Sequence, residues 1–429
     1  MGLRSVCRVA VAQCRRPGTI TEPVADPHWN GLSRRLLRSC FLSRDDGNES
    51  DFQPLGWGDQ ESGVEVGQFT DGRGWEVVAV VGPVPVQQLD ALLVSQPENR
   101  RYLSGFTGST AAMIVTGSKS HVLVDPRYSI QARNECRTAE VHDYTGKSTI
   151  AAAAELANNL APSSLGYESD HLTVTSLRSL RKALERSIGL RGTHGLVERV
   201  RQVKDAQELA LIRRAAEIAD ETLTAVLSEI KPGMTEKQVA LLIDSTLRSL
   251  GADKEAFETI AAAGPNSACP HASPTDAVLQ SGQFLKMDFG ARYANYNSDI
   301  TRTVCLGDAS EKQREVYQIV LDAQIKAIEA IAPGKTGREI DAVARDYIAS
   351  KGYGDNFGHG LGHALGIEVH DGPGFSVTSD IVLEPGMVMT VEPGIYIEGW
   401  GGVRIEDDIV VTDSGAEIIT SSPKELRRL

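Results

Sequence analysis

Asp288 and Asp299 stand eleven residues apart within FLKMDFGARYANYNSDITRTVCL, and Glu392 and Glu406 stand fourteen apart within MVMTVEPGIYIEGWGGVRIEDDIVVT. Acids usually lie on exposed faces or in ion pairs. Here KMDFG and MTVEPGIYI place them inside otherwise apolar, strand-like sequence, where like charges are costly unless something cancels them. Divalent cations do this directly, and four carboxylates can neutralise two of them. Asp407 and Asp408, beside Glu406 in the IEDD run, are rival acids.

Histidines supply a second line. His359, His363 and His370 fall within HGLGHALGIEVHD, between the two acidic segments. His359 and His363 have the i, i+4 spacing of a zinc helix, but Gly358, Gly360, Gly362 and Gly366 argue against a regular helix. No glutamate follows His359, so the HExxH pattern is absent. The glycines suit close backbone approach around a site instead. His271, in GPNSACPHASPT, precedes the first acidic segment and completes the candidate set.

Carboxylates with one or two imidazoles suit harder ions, so manganese(II) is favoured, with cobalt(II) or zinc as substitutes. A metal pair about 3.5–4 Å apart can bring the pKa of a shared water toward ~7. The chemistry implied is metal-assisted hydrolysis of an amide or a phosphate ester. Spacing alone does not choose between them.

These acids sit in a repeat. DAQELALIRRAAEIADETLTAVLSEI has helical spacing and ends at Pro232 and Gly233; a second helix opens at Thr235, with Gln238 in capping-box position. EKQREVYQIVLDAQIKAIEAI then ends at Pro333 and Gly334, and Thr336 with Glu339 opens the next helix. Each unit leads into an acid-bearing pair of strands. This predicts a duplicated unit whose pseudo-twofold axis brings the two hairpins face to face, giving an α+β catalytic domain. Upstream, LDALLVS, AAMIVTG and HVLVD have strand character, QPENRR reads as a turn, and TSLRSLRKALERS has helical leucine spacing. A smaller α/β domain is expected there. Residues 1–86 carry clustered arginines and a Gly/Asp/Glu-rich stretch with no sustained period, and read as an atypical, disordered extension.

The formal net charge of −13 disfavours a nucleic-acid partner. No apolar run reaches the ~18 residues of a membrane span. The N-terminus lacks a clear apolar signal-peptide core, so the expected location is the cytoplasm. Six scattered cysteines without CxxC pairs suit reduced thiols.

Together GPNSACPHASPT, MDFGARYANYNSDITRT, HGLGHALGIEVHD, VEPGIYI and GGVRIEDDIVVT resemble the Xaa-Pro peptidases, aminopeptidase P and prolidase. NRRYLSGFTGS resembles the N-terminal domain of that branch. The resemblance spans about residues 87–429. It implies a pita-bread catalytic domain over residues 204–429, preceded by a creatinase-like α/β domain over residues 87–203. It implies that Asp288 binds one metal, His363 and Glu392 the other, and Asp299 and Glu406 both. Glu392 would also take a proton from a metal-bridging water. His271, His359 and His370 would line the substrate site, and Arg404 would support the bridging carboxylates, with Tyr396 in a lesser supporting role. The expected substrate is a proline-containing peptide, cleaved at its N-terminal Xaa-Pro bond, and the expected assembly is a homodimer. An Xaa-Pro dipeptidase is the main alternative. A non-catalytic binding protein is disfavoured because all five ligands are present, and a metal-free amidinohydrolase because its chemistry does not require them.

Overall fold

The computed structural model describes residues 89–429. Before them it describes only the backbone of strands at Val11–Ala12, Phe52–Pro54, Glu65–Asp71 and Trp75–Val81, paired as one antiparallel sheet. These strands occur where no strand period is sustained in the sequence. The rest of the expectation for residues 1–86 lies outside the described residues. Contacts divide the chain into Met1–Gly195 and Leu196–Leu429. The division precedes the expected boundary because the helix Leu196–Gln202 packs with the later unit, where Arg201 is buried against Asp371 and Glu368.

The described part of the first unit is a six-stranded mixed sheet flanked by helices. Ala91–Val94 lies between Ser164–Glu168 and Ala111–Thr116; Gly189–Thr193 forms one edge beside Ser164–Glu168, and on the other side Ser120–Val124 follows Ala111–Thr116, with Glu140–Asp143 at the opposite edge. Ala91–Val94 and Ser120–Val124 are buried throughout, which explains the apolar runs ALLV and, after Ser120 and His121, VLV. The leucine-spaced segment forms the helix Val174–Ala183. QPENRR departs from its expected turn: Pro97–Ser104 is a helix. Proline suits the first helical position. The preceding N–H groups of Ser95 and Gln96 donate to Glu168 at 2.6 and 2.7 Å, a partner no local pattern could disclose.

The second unit contains the duplication. The helices Ala206–Leu227 and Glu236–Ser249 form the first pair, Glu311–Ala330 and Gly337–Ser350 the second. Thr235 with Gln238 and Thr336 with Glu339 both make reciprocal capping boxes. Gly233 and Gly334 adopt φ of +95° and +83°, a left-handed conformation that favours glycine. Each donates its N–H to a leucine carbonyl, Leu279 at 3.0 Å and Leu383 at 2.9 Å. Each half has its own apolar core: Leu223, Ile243 and Met287 lie in the first, Val320, Ile348 and Ile405 in the second.

Candidate active site

Asp288 lies in the buried strand Phe284–Phe289, paired with Ile260 on one side and Thr301 on the other. Gly290 follows this strand. A Cβ there would lie 1.8 Å from the Ser298 carbonyl oxygen, so only glycine lets the returning chain come this close. The return places Asp299 immediately before the strand Ile300–Cys305, with its N–H donated to Asp408 Oδ2 at 2.9 Å.

The second acidic segment differs from the expected continuous hairpin. Val391 pairs with Asp407 and Gly394 with Arg404, so Glu392 and Pro393 fall opposite Ile405 and Glu406 in a break between two short ladders. Proline has no N–H for a ladder. The acids occupy this interruption rather than a strand interior.

The glycine-rich histidine segment is irregular, as its composition implies. A Cβ on Gly362 would lie 2.0 Å from the Thr390 carbonyl oxygen. This approach lets Thr390 Oγ1 accept the His363 N–H at 3.0 Å and donate to Glu392 Oε1 at 3.3 Å. His363 Nε2 stands 3.6 Å from both Asp299 Oδ2 and Glu392 Oε1.

Asp288, Asp299, His363, Glu392 and Glu406 all line one cavity of about 360 Å³, with His271, His370 and Arg404. Of the three neighbouring acids, only Glu406 faces it. Asp407 is held by Arg302, Lys424 and Gln324, each at 2.7 Å, and Asp408 by the backbone of Asp299. His359 does not line the cavity. Its Nε2 lies 2.9 Å from the Tyr396 hydroxyl, which Arg404 Nη1 approaches at 3.0 Å. Arg404 also donates to Asp288 and, at 3.0 Å, to Thr301 Oγ1. Its hydrogen-bonded carboxylate partner is thus Asp288, with Glu392 Oε2 in an ion pair 3.9 Å from Nε, and its hydrogen bonding reaches Glu406 through Thr301, which donates to Glu406 Oε2 at 2.6 Å.

The structure adds Thr301 to the hydrogen-bonded frame of the site and Phe257, Glu258 and Ser273 to the cavity wall. Nothing in AFETI or HASPT distinguishes them chemically. Thr301 lies within the SDITRT motif, but a strand threonine carries no signal of its partners.

Burial and the neighbouring Glu406 push the Asp299 carboxyl well above the usual carboxylate range. Burial and Glu392 do the same to Glu406, while burial raises Glu392 to about 7 against the pull of Arg404. Burial and His370 lower His363 to about 4, favouring neutral imidazole. Asp288 Oδ1 and Asp299 Oδ1 are buried without a hydrogen-bond partner. Ligand atoms of Asp299, His363 and Glu406 lie within 4.8 Å of one another. Unmatched buried carboxylate oxygens around a neutral imidazole fit divalent metal ions, whose charge offsets this concentration of acids.

The duplicated fold and its acid-rich cavity define a metal-dependent hydrolase of the pita-bread type. The chain belongs to metallopeptidase family M24, which residues 210–413 match, while residues 86–203 match the Creatinase/Prolidase N-terminal domain. The family uses divalent metal ions. An uncharacterised peptidase of Bacillus subtilis is 44% identical over 79% of this chain and 95% of its own length. An Xaa-Pro dipeptidase of Bacillus anthracis superposes with a TM-score of 0.77 at 43% identity, covering 80% of this chain and 95% of that one. An X-Pro aminopeptidase of Thermotoga maritima gives 0.75 at 38% identity, covering 80% and 98%.

Proposed function

We propose that this protein is a dinuclear-metal exopeptidase that hydrolyses the bond between an N-terminal residue and proline. The observation that carries this reading is the convergence of Asp288, Asp299, His363, Glu392 and Glu406 on one cavity, in a chain similar to enzymes named for Xaa-Pro cleavage. Asp288 would hold one ion, His363 and Glu392 the other, and Asp299 and Glu406 both.

When bound, the ions would neutralise the carboxylates, polarise the scissile carbonyl and acidify a water for attack. The Glu392 carboxylate accepts the proton released in that attack. His271 and His370, on the cavity wall, offer ring nitrogens to the substrate carbonyl and to the oxyanion that develops from it. Arg404 orients Asp288 directly and Glu406 through Thr301. His359 acts behind this layer, through Tyr396.

The main reading is cleavage of longer peptides in the manner of aminopeptidase P. The dipeptidase reading has equal support from relatives, including an Xaa-Pro dipeptidase of Pyrococcus horikoshii that is 38% identical over 79% of this chain. Hydrolysis of Ala-Pro and Ala-Pro-Ala at equal manganese separates them: turnover of the tripeptide is expected, and activity confined to the dipeptide overturns the main reading. Protein that binds metal but cleaves neither peptide would instead be a binding protein on this fold.

Manganese(II) as native metal, a homodimer and the cytoplasm complete the proposal. Its oxygen-rich donor set supports the metal. Among the described residues no helix is long and apolar enough to cross a membrane. Metal analysis of protein purified without added metal, with light scattering for mass, tests the first two, and cell fractionation the third.

A further inference from the structure

The first unit carries a second group of metal-ligating side chains that the peptidase chemistry does not use. His121 lies in the strand Ser120–Val124, and Glu140 and His142 in the edge strand Glu140–Asp143. The strands run parallel, with His121 opposite Glu140 and Leu123 opposite His142. Residues two apart on a strand share a face. His121, Glu140 and His142 are thereby gathered on one side of the sheet edge.

Their atoms converge. His121 Nδ1 and His142 Nε2 are 3.0 Å apart. Glu140 presents Oε2 3.7 Å from His121 Nδ1 and Oε1 3.8 Å from His142 Nε2. A zinc-type ion sits about 2.0–2.2 Å from imidazole nitrogen and carboxylate oxygen, so two donors to one ion lie no more than about 4.4 Å apart. All three separations meet that limit. The His121 side chain is 5% exposed, His142 30% and Glu140 54%, so the group has a fixed inner wall and an outer face open to water.

We propose that His121, Glu140 and His142 form a separate binding site for a zinc-class divalent ion, one that clips the edge strand to its neighbour. Two imidazoles and one carboxylate select borderline ions such as zinc, nickel or copper(II) over magnesium or calcium, which prefer oxygen donors. Water completes the coordination on the exposed side. The ammonium of Lys119, 3.8 Å from Glu140 Oε2, opposes the incoming cation.

The test is zinc titration of the full-length, metal-stripped chain by calorimetry in an Asp299→Asn, Glu406→Gln background, which weakens the acid-rich site. One equivalent of zinc is expected to remain, and to be lost on adding His142→Ala. Glu140→Gln, close in shape, is expected to weaken that equivalent about tenfold or more, the scale at which even supporting residues act. Lys119→Ala is expected to tighten it. Circular dichroism confirms that each variant is folded. Histidine ring-nitrogen NMR of the wild-type chain, which reports on His121 and His142 whatever the remaining acids hold, supplies the second readout: the His121 and His142 signals are expected to shift with zinc and not with magnesium. Zinc uptake that is the same with and without His142→Ala, or His121 and His142 signals unmoved by zinc, overturns the proposal.

Discussion

Thr301 and Glu406 come from opposite halves of the duplicated unit and are joined by a 2.6 Å hydrogen bond, with the same threonine oxygen accepting from Arg404 at 3.0 Å. One small side chain therefore orients an acid from the second half and an arginine that also holds an acid of the first. Site geometry is set between the halves rather than within either.

Thr301→Val keeps the side chain's shape and removes both hydrogen bonds. Loss of such support is expected to lower turnover or metal affinity by about 10–100-fold, with little change in folding. Steady-state kinetics across a manganese titration check this. Wild-type kcat at every metal concentration would mean that Glu406 is oriented by other contacts.

Asp299→Asn removes one negative charge from the acid that the proposal assigns to both ions. Activity on Ala-Pro-Ala is expected to fall by more than about 100-fold, beyond the usual cost of losing a supporting residue. The thermal transition should remain cooperative, because one mutual repulsion among buried carboxylates is relieved. Near-normal turnover would remove Asp299 from the ligand set.

Metal removal should cost stability as well as activity. An ion at about 100 times its dissociation constant contributes roughly 2.7 kcal/mol, and two such ions correspond to a midpoint shift on the order of 10 °C. Scanning calorimetry with chelator, then with manganese restored, reads the difference. An unchanged midpoint would show that the buried acids are not stabilised by cations.

Gly362→Ala places a Cβ 2.0 Å from the Thr390 carbonyl oxygen, a backbone atom held in the site wall. The expected cost is roughly 3 kcal/mol or more, the upper range for overpacking, with displacement of His363. Gly358→Ala is the control, since a Cβ there meets nothing within 4 Å. Chemical denaturation of both variants makes the comparison, and equal stabilities would contradict the proposed role of close approach at Gly362.

Local rules made several elements readable in the chain itself. Capping boxes at Thr235 and Thr336 depend on residues three apart, and the turn glycines at Gly233 and Gly334 on one backbone conformation. The recurrence of these signals disclosed the duplication, and the acid and histidine motifs disclosed the candidate ligands. Other features depended on partners distant in sequence. Only the folded chain turned Glu406 toward the cavity while Arg302, Lys424 and Gln324 took Asp407. Only the fold kept His359 off the cavity wall and against Tyr396, and made Pro97–Ser104 a helix beside Glu168. Residue type and short spacing determine which groups are able to bind a metal; the direction each side chain faces is decided by long-range packing, hydrogen bonding and charge, which no short window contains.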